Sequence, residues 1–526
     1  MSSLLLIGFD ATDPERIDRL VAEGRMPRLA ELRQGARRGL LESRPDAFVN
    51  MVWPTLVSGM QAGDHGWHSA KMWRAERMRL EYGDPGWLPL RPFWAVLEEA
   101  GARLGILDVP FAPPPSARFE GVFLSGWQTH DEALAGSRPA GLRRRLLRRH
   151  GRPALGPELF GPQTPATLES LHRRALASVR QFADIVCETL GEGPFDLFLA
   201  VFGGAHRAGH YLWDLSQIDA SALGAERRRA LEGALDEIYA ALDAALGRVL
   251  DAAGGRFDRV LLFSAHGMGP SDGWLHMLDA LLARIEGRER ASGNGGGLLY
   301  RLKKRLPWNL VREVTTRLPA AVNRALVPLW SQRMHDWRTT RVFTVPFDVH
   351  GFLRVNLRGR ERDGIVAPGG EYEALCAELA EALEGFADMA SGRPVSAGVV
   401  QSRALFPDGE RTDRLPDLVV RIGDPVRGSA GLVSPRFGEI RFPTPDRFPS
   451  GRSGNHHPRG WYLLAGPDAG AVADGRVVDL APTVLETLGM PPPGGLPGRS
   501  LLTGLSGHKA ETAGPPAPAA SARGAE

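Results

Sequence analysis

The sequence predicts an α/β protein built on an open, mostly parallel sheet with helices on both faces. Three observations carry this expectation. Short, wholly apolar runs such as Leu4–Phe9 and Leu197–Phe202 have the length and continuity of strands buried on both sides. Long helical patterns over Pro165–Leu190 and Ala225–Ala253 lie between such runs and are closed by Gly191 and Gly254. The two kinds of segment alternate along the chain, as in a sheet whose parallel strands are joined by helical crossovers.

Leu4–Phe9 is the first strand, and Thr12-Asp13-Pro14-Glu15 follows with helix-start chemistry. The spacing from Thr12 to Glu15 fits a capping box with an early proline, opening a helix that runs to Gly24. Further strands are expected at Leu104–Leu107, Val122–Leu124, Leu197–Phe202, Val260–Phe263, Leu418–Ile422 and Tyr462–Leu464. Residues 301–341 differ, with ten Lys/Arg against Glu313 and Asp336, interleaved with Leu, Val and Trp. This predicts a basic helical cap inserted at about 275–341. Its outer face reads either as a solvated surface or as a patch for an anionic substrate or weak membrane-surface contact. The tail 506–526, rich in Ala, Pro, Gly and Ser, reads as disordered, which leaves 1–505 as one large domain.

Composition excludes several classes. With 43% hydrophobic and 24% charged residues in 526, the chain is globular and large enough to fold without staples. Two cysteines, Cys187 and Cys376, exclude a disulfide scaffold and a cysteine-based zinc finger. Sixty-four basic residues against 61 acidic ones leave no excess charge for nucleic acid, and no nucleic-acid-binding motif is found. Leu4–Phe9 is too short for a signal-peptide core or a membrane span, so a cytoplasmic protein is expected.

In an open parallel sheet, ligands bind beyond the carboxyl ends of the strands. Polar residues gather there: Asp10 after the first strand, His206 and His210 after Leu197–Phe202, His266 after Val260–Phe263, and Asn455-His456-His457 before Tyr462–Leu464. A strand-end Asp often caps a helix, and a lone His is often structural. The pair His206-x-x-x-His210 says more, because an i, i+4 spacing puts both imidazoles on one helix face, a common way to present two nitrogens to zinc. His65 and His68 flank Gly66-Trp67 and read as loop structure. Arg354, Asn356 and Arg360 form a strand-turn block in which a structural ion pair is expected over a phosphate contact.

These segments also carry a resemblance. LLIGFDATDPERIDRLVAEGRMPRLAELRQGA, WPTLVSGMQAGDHG, FDLFLAVFGGAHRAGHYLW and VLLFSAHGMGP come in order. RVNLRGRERDGIV, LPDLVVRIG, SGNHHPRGWYLLAGP and DLAPTVLETLG follow. Together they resemble the type I phosphodiesterase/nucleotide pyrophosphatase branch of the alkaline phosphatase superfamily over roughly residues 3–503. The resemblance implies an alkaline-phosphatase-like three-layer sandwich, with two zinc-type sites beside a Ser or Thr nucleophile. By position it implies metal ligands at Asp10, His210, His266 and His456.

Three positions depart from the family pattern. His206 stands where the family has Asp, Ala265 stands where it has another Asp, and the nucleophile position falls on Val49, beside Asn50. Thr55 is the nearest hydroxyl. The expected first site is therefore His206, His210 and His456, three neutral imidazoles suited to one catalytic zinc. The second keeps only Asp10 and His266, with Asn50 as a weak ligand, too few to hold a second divalent ion tightly. The expected activity is hydrolysis of a small-molecule or carrier-linked phosphate ester, or a related sulfate ester. A zinc-activated water would attack, with His266 as acid or base and Asn50 and Thr55 as further catalytic candidates. Two alternatives stay open: an inactive binding protein on the same fold, and a phospho- or sulfo-group transferase.

Overall fold

The computed structural model describes residues 2–502 apart from 44–45, 84–85, 129–134, 157, 272, 288–321, 323–326, 329–334, 424–427, 444–446 and 468–471. The disordered tail expected at 506–526 and most of the basic segment 301–341 lie outside the described residues.

A nine-stranded sheet forms the centre. Its order is Gly475–Arg476, Arg37–Glu42, Arg459–Ala465, Arg259–Ser264, Leu4–Phe9, Leu197–Phe202, Arg103–Leu107, Glu120–Ser125 and Gly136–Arg138. Leu4–Phe9 runs parallel to both neighbours, with Leu6 opposite Leu199 on one side and Leu261 on the other. Two strands run against the rest: Arg459–Ala465 inside the sheet and Gly136–Arg138 at its edge.

Side-chain alternation along the first strand divides the core. Leu5, Ile7 and Phe9 join a cluster with Phe182, Val186, Leu235 and Leu242 of the two long helices, Pro165–Leu190 and Ala225–Ala253. Leu4 and Leu6 point the other way, into a cluster with Leu56 and Val57 of the helix Val52–Ser58 and Val484 and Leu485 of the helix Leu480–Thr487. The period of two thus produces helix, sheet and helix layers. Both long helices have the bounds read from the sequence. At the first helix the start moves by one residue: Asp13, not Thr12, is the N-cap, accepting from the Arg16 N–H. Thr12 is drawn inward, donating to the Phe9 carbonyl and accepting from the Trp461 indole.

Described residues between 274 and 442 build a smaller lobe. A four-stranded sheet orders Val342–Thr344, Gly351–Val355, Leu418–Ile422 and Ser396–Gln401, all antiparallel. A three-stranded sheet and the helices Leu278–Ile285 and Gly370–Glu384 share its apolar core. Leu418–Ile422, expected in the main sheet, lies here because its backbone pairs with Gly351–Val355. The lobe is tied together by buried charge. Arg360 grips Asp417 at 2.7 and 2.8 Å, Arg354 donates to Glu361 at 2.7 Å, and the Tyr372 hydroxyl donates to Asp417 at 2.8 Å. The Arg354 and Arg360 guanidinium groups are therefore structural ion pairs. Asn356 is structural too, its amide donating to the carbonyls of Trp337, Thr340 and Asp363.

Candidate metal centre

The chain turns after three adjacent central strands deliver the site. Asp10 follows Leu4–Phe9, the helix Gly204–Leu212 follows Leu197–Phe202, and His266 follows Arg259–Ser264. The chain then doubles back, and Gly267–Pro270 pairs with Gly454–His457, setting Met268 opposite His456. Helix and ribbon touch closely: a Cβ on Gly454 would lie 2.2 Å from the Gly209 carbonyl oxygen. Only glycine permits that approach.

His206 and His210 share one face of their helix, as their spacing predicts, with ring centroids 5.0 Å apart. His456 completes a triangle, 4.9 Å from each. The ligand nitrogens of the three lie within 4.8 Å of one another. Zn–N bonds of about 2.0–2.1 Å in a tetrahedron space the nitrogens about 3.4 Å apart, so binding would widen the gap between His206 Nε2 and His456 Nε2, now 2.8 Å. His266 stands beside it, its ring 4.5 Å from that of His456.

The far nitrogen of each triangle histidine faces a protein oxygen. His206 Nδ1 donates to Asp10 Oδ2 at 2.6 Å, and His210 Nδ1 to the Gly454 carbonyl at 3.0 Å. His456 Nδ1 lies 2.8 Å from Asp348 Oδ2, off the ring's N–H axis. With protons held at Nδ1, the Nε2 lone pairs turn toward the centre. His206 Nε2 and His456 Nε2 stand 2.8 Å apart. Two lone pairs at that distance repel unless a proton or cation lies between them, so this donor set fits a divalent ion.

Electrostatics agree with that use. Burial pushes the His210 imidazole well below its ordinary value. Burial likewise lowers His456 to about 4, with Asp348 pulling partly the other way. Both are neutral near pH 7, the form that binds metal. Burial favours the neutral acid at Asp10, but the charges and hydrogen bonds of His206 and His266 outweigh it and hold the carboxyl well below the usual range.

The expected second site looks different. Asp10 Oδ1 accepts from the Trp53 indole at 3.0 Å and lies 3.4 Å from His266 Nε2, while Oδ2 is taken by His206. The carboxylate that should hold a second ion is already engaged by protein donors. His266 Nδ1 donates to the Gly267 carbonyl at 2.9 Å. Ala265 is fully buried among apolar residues. Asn50 sits in the 3-10 segment Asp46–Met51, and its side chain lies outside the described residues. Val49, at the nucleophile position, is fully buried.

Thr55 does not join the cluster. His65 Nδ1 accepts from the Trp67 N–H, so its Nε2 carries the proton and donates to Thr55 Oγ1 at 3.1 Å. The Thr55 hydroxyl in turn donates to the Met51 carbonyl at 3.3 Å. Both roles of the hydroxyl are spent on structure, and His65 is no base toward it. Sequence reading missed Asp348 and Trp53 as parts of the site. Trp53 lay in a quoted motif without a role, and Asp348 falls between two short strands of the smaller lobe with no spacing to mark it.

A family model described as type I phosphodiesterase / nucleotide pyrophosphatase matches residues 4–426. No curated protein matches the chain. Among solved structures, phosphonoacetate hydrolase from Sinorhizobium meliloti 1021 in complex with phosphonoacetate is similar at 13% identity. Its TM-score is 0.52, with 93% of this chain and 96% of that chain covered. Murine ectonucleotide pyrophosphatase / phosphodiesterase 5 aligns at 12% identity over 94% of this chain and 96% of that one, with a TM-score of 0.47.

Proposed function

The chain belongs to the type I phosphodiesterase / nucleotide pyrophosphatase family, and on that premise we propose that it hydrolyses phosphate esters with one zinc-class ion held by His206, His210 and His456. The observation that carries the reading is the triangle of Nε2 atoms, each backed by an oxygen at Nδ1. The substrate is a small-molecule or carrier-linked phosphate ester. The cytoplasm is the proposed compartment: no described helix is long and apolar enough to cross a membrane, and both cysteines are free thiols.

When bound, the ion supplies Lewis-acid charge and brings the pKa of water toward neutrality. The rest falls to the chain. Asp10, buried and anionic, fixes the orientation of His206 and faces His266. His266 has both ring nitrogens turned toward oxygen acceptors, at 2.9 Å and 3.4 Å. It is placed to hold a proton beside the reacting group and to deliver it to a leaving oxygen. Val49 supplies no nucleophile, so attack falls to water.

One observation favours a second reading. A buried Val49 and a structurally committed Thr55 leave neither of these two positions with a hydroxyl free to attack, as in a protein that binds a ligand without turnover. Single-turnover assays on zinc-loaded protein with bis(4-nitrophenyl) phosphate, 4-nitrophenyl phosphate and 4-nitrophenyl sulfate separate the two. Hydrolysis of a phosphate ester, abolished by chelation and restored by zinc, supports the hydrolase. Zinc binding with no turnover of any ester supports the binding protein. Transfer to an added alcohol in place of water would identify a transferase.

A further inference from the structure

The smaller lobe reaches the candidate metal centre through Asp348. Asp348 lies between the strands Val342–Thr344 and Gly351–Val355, far in sequence from every cluster histidine. Its Oδ2 stands 2.8 Å from His456 Nδ1. Its Oδ1 is 3.2 Å from Arg452, whose other terminal nitrogen is 2.9 Å from Glu158. Its backbone carbonyl accepts from the Asn455 amide at 3.3 Å. The carboxylate is thus held from two sides beside the His456 ring.

From this geometry, and resting on the zinc-centre reading above, we infer that Asp348 is a positioning residue for His456, fixing its proton at Nδ1 so that Nε2 is presented to the ion. His456 needs such a partner more than the other two. His206 and His210 are oriented by their helix, whereas His456 sits on a four-residue strand, Gly454–His457. An imidazole free to flip would present Nδ1 or Nε2 indifferently. A carboxylate at Nδ1 selects one tautomer and raises the basicity of the other nitrogen. Asp348 also places a negative charge just outside a triangle of three neutral ligands, where it offsets the charge of a divalent ion. Arg452 and Glu158 hold Asp348 in turn, and the alternating signs along Glu158, Arg452 and Asp348 keep that chain together without spending the carboxylate on Arg452 alone.

The test is zinc affinity, measured by chelator competition on the full chain. Loss of an outer partner of a metal-ligating histidine weakens binding about 10–100-fold. Asp348→Ala should show that loss. Asp348→Asn, which keeps an acceptor oxygen but no charge, should fall between the parent and Asp348→Ala. Cobalt(II) loading adds a readout that a structural brace would not move: the visible absorption of the bound ion should change in Asp348→Ala and return toward the parent in Asp348→Asn. Should Asp348→Ala fail to fold, Asp348→Asn carries the test alone through the same two measurements. Parent-like zinc affinity and cobalt spectrum in either folded variant overturn the inference while leaving the hydrolase reading standing. A parent chain that takes up no zinc overturns both.

Discussion

His206 Nδ1 lies 2.6 Å from Asp10 Oδ2. Family resemblance casts Asp10 as a ligand of a second ion; here its oxygens accept from His206 and from the Trp53 indole and lie 3.4 Å from His266. Asp10→Ala would leave the His206 and Trp53 N–H groups without their acceptor. Leaving a buried donor without its acceptor costs about 1–3 kcal/mol. The metal-free Asp10→Ala protein should lose that much stability in denaturant unfolding, and it should bind zinc more weakly.

Restoring a second ion should take more than its missing ligand. Ala265→Asp adds a hard oxygen beside His266, and Val49→Thr adds the hydroxyl. Trp53 still donates to the Asp10 oxygen that an ion would use. The double variant Ala265→Asp/Val49→Thr should therefore gain little second-ion binding, and adding Trp53→Phe should raise it. Isothermal titration with zinc distinguishes them. A double variant that already binds two ions tightly would show that the indole is no obstacle.

Much of the site was legible before the structure. The i, i+4 pair and the strand-end histidines carry their own signal, because a single local spacing or a strand terminus fixes where each side chain points. The apolar strand runs are legible for the same reason. Asp348 carries no such mark: its role depends on how the smaller lobe folds back, which is decided by pairings such as Gly351 with Val420 across many residues. The shift of the N-cap from Thr12 to Asp13 is similar, since Trp461, 449 residues away, claims the Thr12 hydroxyl. Local capping chemistry offered both residues, and tertiary packing chose.

Gly454 is a steric gate for the centre. Its carbonyl accepts from His210, and a Cβ there would meet the Gly209 oxygen at 2.2 Å and the Trp213 Cβ at 2.8 Å. Gly454→Ala must push the ribbon away from the helix, displacing His456 from His210. Zinc affinity should drop at least tenfold while far-ultraviolet circular dichroism stays close to the parent's.

Breaking one of the buried ion pairs should destabilise the smaller lobe. Asp417→Asn removes one of the two carboxylates that pair with Arg360 and leaves Arg354 and Arg360 sharing Glu361 alone in the core. The expected loss is about 3–5 kcal/mol, seen as a lower unfolding midpoint in urea.

His65 and His68 predict an acid limb. Burial, then the nearby charges of Arg411 and Arg354 respectively, lower each to about 3. An unfolded histidine titrates near 6.5. Between about pH 6.5 and 3 the unfolded chain binds more protons at these positions, so stability is present above pH 6.5 and lost as pH falls through that window. Each histidine contributes a slope of up to about 1.4 kcal/mol per pH unit. A folded His68→Gln variant should show a shallower dependence of unfolding free energy between pH 4 and 6 than the parent. An identical slope would contradict the assignment.

Metal stoichiometry tests the single-ion centre most directly. After zinc loading and exhaustive dialysis, elemental analysis should find about one ion per chain, as three histidine ligands make one good site. His210→Ala should hold none while keeping most of the parent's fold. Two tightly held ions in the parent, none at all, or full occupancy in His210→Ala would contradict a centre built on His206, His210 and His456.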